Sequence, residues 1–136
     1  SSLNKMQKYL FDTNIWISAI ITNSEVKLIQ FILENKLTIY ICPEMILELQ
    51  EVLKRSKFKK YLSRSIPEYI VLIENSCLNN TSPNHYDKAP DKDDNYLYDV
   101  CIDTKSTLVT GDKLLLGYIS NPPVVTISRN TFFEMF

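Results

Sequence analysis

Short apolar runs alternate along this chain with stretches whose apolar residues recur every three or four positions. The first run, Lys8 to Phe11, reads as a short buried strand. Asn23 or Ser24 then caps a helix to about Asn35, with Val26, Ile29, Ile32 and Leu33 on one face. Leu37 to Cys42 is rich in β-branched residues and predicts a second strand. Pro43 opens the next helix, at a position where its missing N–H costs nothing. Ile46, Leu49, Val52 and Leu53 are that helix's apolar positions. Ser65-Ile66-Pro67-Glu68 marks another helix start, carried on from Tyr69 to Cys77. The polar segment Leu78 to Tyr86 has room for a short strand, and Lys88 to Asp94 is a loop of turn and capping residues. A helix from about Asp93 to Lys105 follows, then a strand at Leu108 to Thr110 and a short helix from Lys113 to Tyr118. A strand at Val124 to Ile127 and a helical turn at Thr131 to Phe136 complete the pattern.

Strands that alternate with helices predict a three-layer α/β/α sandwich around a parallel sheet of about four to five strands. A length of 136 residues predicts one domain over residues 1–136, with residues 1–7 a flexible or tag-derived start. An apolar content of 45% with 23% charged residues is that of a soluble globular domain. No apolar run approaches the ~20 residues that span a bilayer, and the zones of a signal peptide are missing. A cytoplasmic protein without a membrane partner is therefore expected. Cys42, Cys77 and Cys101 are far apart, form no CxxC pair and have only His85 for company. Buried free thiols are a better reading than a zinc site. Two glycines leave no Gly-rich phosphate loop.

The candidate chemistry is acidic. Asp12 ends the run Tyr9-Leu10-Phe11, and Asp112 ends Thr107-Leu108-Val109-Thr110-Gly111. Glu48 and Asp94 fall on predicted helices between them. A parallel α/β fold gathers such residues at the C-terminal ends of its strands. Carboxylates with no basic partner nearby in sequence suit Mg²⁺ or Mn²⁺, and the set points to metal-dependent phosphodiester cleavage. Each residue also has a plain structural reading. Asp12 and Asn14 can be turn residues. Glu48 can be a solvated helix residue, although Leu47 and Leu49 imply more shelter than Glu51 has. Asp91, Asp93 and Asp94 can cap a helix, with Asp93 assigned to its start, but three neighbouring aspartates repel unless screened. Gly111 permits a close approach or a positive φ, and Thr110 adds a hydroxyl.

The net charge of −1 argues against strong nonspecific binding to nucleic acid. One basic concentration stands out: Lys54, Arg55, Lys57, Lys59, Lys60 and Arg64. It could hold a phosphate backbone, or it could be a solvated helix end. His85, in a polar loop, reads as a surface residue rather than a general base.

The order of these pieces resembles the PIN-domain nucleases, from Lys8 to about Ile127. The resemblance rests on Phe11-Asp12-Thr13-Asn14, Glu44 to Leu53, Asp91-Lys92-Asp93-Asp94-Asn95 and Leu108 to Leu115. It is nearest to the bacterial branch of VapC-like toxins from type II toxin–antitoxin pairs. The resemblance implies that Asp12, Glu48, Asp94 and Asp112 are catalytic and metal-binding. It implies support from Asn14, Thr110, Asp93 and Asp91, with Asp94 preferred over Asp93 for its distance to Asp112. It also gives the six basic residues a role in binding substrate. The implied activity is endonucleolytic hydrolysis of RNA with one or two Mg²⁺ or Mn²⁺ ions, ~3.5–4 Å apart if two. The implied partners are RNA and a cognate antitoxin, and a homodimer is compatible. The helix after Asp94 departs from the family pattern. It is bulkier from Tyr96 to Lys105, and it lacks the glycine of the turn that usually leads into the strand.

Two other readings compete. One is a catalytically weak PIN fold that binds RNA or protein. The other is a response-regulator-like or phosphatase-like α/β domain. That second kind needs another aspartate or a lysine beside Asp12, and Thr13-Asn14 supplies neither.

Overall fold

The structure is a computed structural model that describes residues 7–136. The expectation of a flexible start falls, apart from Gln7, outside the described residues. The strands are β1 (Lys8–Phe11), β2 (Thr38–Ile41), β3 (Leu78–Asn79), β4 (Thr107–Val109) and β5 (Thr126–Ile127). The helices are α1 (Thr13–Ile21), α2 (Glu25–Glu34), α3 (Pro43–Leu53), α4 (Ile66–Ser76), α5 (Asn95–Thr104), α6 (Lys113–Leu116) and α7 (Arg129–Glu134). The 3₁₀ turns Ser56–Tyr61 and Lys92–Asp94 lie between them.

The five strands form one parallel sheet in the order β3-β2-β1-β4-β5, with helices flanking it, as the alternating pattern predicts. Tyr9, Leu10 and Phe11 are all buried, as a central strand covered on both faces requires. The chain winds outward from β1 through β2 to β3, then returns to β1's other side for β4 and β5. Strand order therefore reverses between β1 and β4, and the crevice outside the carboxyl ends at such a switch point is where open α/β sheets bind ligands. Leu10 pairs with Leu108 and Phe11 with Val109, which brings the residues after both strands to one edge.

Several helices differ from the pattern reading. Helix α1 has no counterpart in it. Ile15, Trp16, Ile17, Ala19 and Ile20 are all buried, so the segment shows no clear polar face. In α2 the buried face is Leu28 and Ile32 with Glu25, whereas Val26 and Leu33 are exposed. Helix α3 turns Met45, Leu49 and Leu53 fully inward, with Ile46 and Val52 at the margin. The Ser65 start of α4 is a capping box: Ser65 accepts from the Glu68 N–H, and the Glu68 carboxylate accepts in return. Helix α5 starts two residues later than expected, after the 3₁₀ turn. It ends at Lys105, whose φ of 57° and ψ of 43° are left-handed. Lysine thus adopts the conformation that glycine usually supplies at a helix end, which explains how β4 is reached without a glycine. Gly111 does not have a positive φ, and a Cβ there would meet no atom within 4 Å. The positive φ is therefore not used, and among the described residues no other part of the chain approaches Gly111 closely.

Cys42 and Cys101 are buried free thiols, and Cys77 is half-buried. Burial pushes the Cys42 and Cys77 thiols up to about 12, which keeps them protonated. No described helix is long and apolar enough to cross a membrane.

Candidate active site

Three of the four singled-out carboxylates stand at helix starts. Asp12 precedes α1, Asp94 precedes α5 and Asp112 precedes α6. Capping would be the plain explanation, yet only Asp112 caps. Its Oδ1 accepts from the Leu114 N–H at 2.9 Å, whereas Asp12 and Asp94 make no side-chain cap bond. The cap at the 3₁₀ turn is Asp91, which accepts from the Asp93 N–H at 3.0 Å. The helix start assigned to Asp93 thus belongs to Asp91. The Asp93 side chain is exposed, and Asp94, half-buried, is left available.

Thr110, fully buried at the end of β4, joins two of the acids. Its hydroxyl donates to Asp12 Oδ2 at 2.7 Å and accepts from the Asp112 N–H at 3.0 Å. The Asp12 N–H in turn donates to the Val109 carbonyl at 2.8 Å, continuing the sheet ladder past β1. Asp12 is therefore fixed by the sheet itself. Glu48 reaches the same edge from α3. It accepts from the Thr13 hydroxyl at 3.1 Å and from the Tyr96 hydroxyl. Tyr96 lies in the first turn of α5, two residues beyond Asp94, and also contacts Thr13 at 3.2 Å. The expected shelter of Glu48 by Leu47 is absent. Leu47 is 63% exposed and Glu48 itself is exposed. Two hydroxyls, not an apolar wall, position this carboxylate.

Two of these acids feel the charge of others in the set. Burial raises the Asp12 carboxyl above its ordinary value, Glu48 and Asp112 add to the rise, and the Thr110 hydroxyl and Thr13 N–H oppose it. Asp94 is pushed from 3.8 up to about 6, first by desolvation, then by the charges of Asp12, Asp91, Asp112 and Glu48. Among the described residues, ion pairs join Lys54 to Glu51 and His85 to Asp99, and none joins a cation to these four acids. Below them lies the buried Tyr98 hydroxyl, without a hydrogen-bond partner among the described residues and within the field of Asp94 and Asp112.

Uncompensated oxygen donors of this kind fit a hard divalent cation. Asp12, Glu48, Asp94 and Asp112 are the groups that would hold it. As positioned, no three His, Cys, Asp or Glu side chains among the described residues form a metal-holding group. Glu48 is turned to its two hydroxyls and Asp112 to its helix.

Of the supporting residues, Thr110 bridges two of the acids, and Asp91 both caps and adds charge. Asn14 is exposed in the first turn of α1. The residues missed from sequence are Tyr96 and Thr13. Thr13 lies inside the Asp-Thr-Asn triplet, and Tyr96 follows Asp94 by two, but only the packing of α5 against α3 and α1 pairs them. The six basic residues lie around the 3₁₀ turn Ser56–Tyr61, and none of them pairs with the four acids. His85 has a side chain 83% exposed, and its Nδ1 lies 3.2 Å from Asp99, as a surface residue rather than a base at the acids.

A nuclease-type α/β sheet with acids at its switch point is thus in place. The PIN domain family profile matches residues 8–114, and the chain belongs to that family. PIN domains are generally nucleases, hydrolases that act on nucleic acids and use divalent metals. The chain is also 30% identical over 115 residues to the uncharacterized protein MJ1680 of Methanocaldococcus jannaschii, covering 81% of this chain and 74% of the relative. No solved structure matches significantly.

Without metal, the raised Asp94 carboxyl makes stability depend on pH. A carboxyl whose folded value exceeds its unfolded one stabilises the fold at low pH and loses that contribution as pH rises through the folded value. Denaturant melts in EDTA should therefore show stability falling between about pH 4 and pH 6. A rise from 3.8 to about 6 corresponds to about 3 kcal/mol, reduced to about 1 kcal/mol for a half-exposed group screened by solvent. Asp94→Asn should flatten this slope. An unchanged slope would place Asp94 outside the repulsive cluster.

Proposed function

We propose that this chain is an Mg²⁺- or Mn²⁺-dependent endoribonuclease, acting as the toxin of a toxin–antitoxin pair in the cytoplasm. The observation that carries the nuclease reading is the Thr110 bridge. It holds a buried, unpaired Asp12 beside Asp112 at the sheet's switch point, within the field of Glu48 and Asp94. The toxin assignment, its antitoxin and a homodimer rest on the resemblance to VapC-like chains.

Asp12, Glu48, Asp94 and Asp112 would hold one or two ions. When bound, these supply Lewis-acid stabilisation of phosphoryl charge and lower the pKa of metal-bound water toward neutrality. The chain's own part is positional. Thr110 fixes the rotamer of Asp12, and Thr13 and Tyr96 fix Glu48. The raised pKa of Asp94 means that it ionises fully only near neutral pH or when a cation neutralises the cluster. The site lies at the carboxyl ends of β1 and β4 with Glu48 exposed and Asp94 and Asp112 half-buried, which suits a polymer substrate.

The decisive experiment is cleavage of mixed single-stranded RNA by purified protein in Mn²⁺ or Mg²⁺, against an EDTA control. Cleavage that persists undiminished in EDTA overturns the reading. Protein that never cuts but binds RNA would favour the catalytically weak binding module. Tyr96→Phe removes a donor to Glu48 and keeps the ring. It should lower kcat by about 10–100-fold, the usual cost of losing a group that orients a ligand. Thr13→Val should act in the same direction, and the pair should be less than additive because both serve one carboxylate. Full activity in Tyr96→Phe would remove Glu48 from the working site.

A further inference from the structure

The six basic residues do not act as one patch. Lys57 Nζ lies 5.0 Å from the Phe58 ring centroid and Lys60 Nζ lies 5.2 Å from that of Tyr61. Lys54, Lys59 and Arg64 instead line a single cavity of about 440 Å³ between the end of α3, the 3₁₀ turn and the start of α4. Leu53, Leu62 and Ile66 form its apolar wall. One sign of charge against low-dielectric walls focuses the field inside such a cleft. Two acids lie nearby and offset part of this field. Glu51 meets Lys54 at 3.8 Å with both side chains largely exposed, a pair worth little. Glu68 is engaged by the Ser65 N–H and hydroxyl.

The cavity is also held rigid. The hydroxyl of Tyr69, a residue only 1% exposed, accepts from the backbone N–H groups of Ser63 at 2.9 Å and Arg64 at 3.2 Å. The Ser63 hydroxyl donates to Asn23 Oδ1 at 3.3 Å, just past the end of α1. Helix α1 starts beside Asp12 and runs nine residues, roughly 13 Å at 1.5 Å per residue, before that tie. The cavity thus lies roughly 13 Å from Asp12 along α1 and roughly 9 Å from Glu48 along α3, and a phosphate held there is not the one that is cut.

We propose that Lys54, Lys59 and Arg64 form a subsite for a backbone phosphate of single-stranded RNA, a nucleotide or two from the scissile bond. This rests on the ribonuclease reading for its substrate, but its test needs no catalysis. In EDTA, labelled single-stranded RNA is titrated at several salt concentrations, and inorganic phosphate is titrated by amide NMR. The triple variant Lys54→Gln/Lys59→Gln/Arg64→Gln should bind RNA at least tenfold more weakly. It should also lower the salt slope by about 0.7 for one phosphate lost. Phosphate should shift the Ser63 to Ile66 amides in the unmodified chain and not in the triple variant. A charge-matched triple, Lys36→Gln/Lys88→Gln/Lys105→Gln, should leave the slope unchanged. Lys59→Gln alone, which disturbs neither helix, should give a partial loss of affinity. Equal slopes for the two triples would make the basic run only a solvated surface, even if the unmodified chain cuts RNA. An unmodified chain that binds neither RNA nor phosphate would overturn the subsite whatever its activity.

Discussion

Asp12→Asn, Asp94→Asn and Asp112→Asn should each lower Mg²⁺- or Mn²⁺-dependent RNA cleavage by about 100-fold or more while the fold remains intact. Groups that merely orient a metal ligand cost about 10–100-fold when removed, so the ligands themselves should cost at least the upper figure. The fold should survive because the substitutions preserve shape. Asparagine at 12 can still accept the Thr110 hydroxyl through its carbonyl oxygen, and asparagine at 112 can still cap the Leu114 N–H. Removing one negative charge from a repulsive cluster should leave metal-free stability equal or raised. Asp93→Asn is the internal comparison. Its side chain is exposed, and the turn is capped by Asp91, so cleavage should change little. Initial rates at several Mn²⁺ concentrations, with circular dichroism for the fold, check all four variants. Activity of Asp94→Asn equal to that of the unmodified chain would move the site's fourth acid elsewhere, with Asp93 the next choice.

Phe132→Ala should cost about 3–5 kcal/mol, the range for removing a buried phenylalanine. That is a large share of the about 5–15 kcal/mol that holds a typical domain. Phe132 belongs to a six-residue helix near the chain's end, yet it is 1% exposed. Its ring packs edge-on against Tyr9 at 4.9 Å and Phe11 at 5.2 Å, both in the central strand. Phe31, Phe133 and Phe136 complete the aromatic cluster. Truncation leaves a void directly behind β1, one residue before Asp12. Urea denaturation should show the midpoint falling with little change in slope. A loss below about 1 kcal/mol would mean that α7 only decorates the sheet. Metal-dependent cleavage should fall as well, because the strand that presents Asp12 loses its backing.

The sequence by itself determined the parallel α/β alternation, the acids in their order and the Ser65 capping box. These are signals of short range: an apolar run, a capping pair, an aspartate directly after a strand. It also identified Thr110 as a neighbour of the acids, since a hydroxyl two residues before Asp112 has little freedom to be elsewhere. Three-dimensional packing decided the rest. Helix α1 was illegible because it is buried nearly all round, so its residues carry no period of 3.6. The face of α2 was misread because Val26 and Leu33 are apolar yet exposed, while Leu28 carries the contact. The choice of Asp91 over Asp93 as the cap depended on a 3₁₀ turn that delays α5. The hold of Thr13 and Tyr96 on Glu48 joins positions 35 and 48 residues apart. No local pattern can encode such a pairing, because it exists only once the sheet order has brought α3, α1 and α5 to one edge.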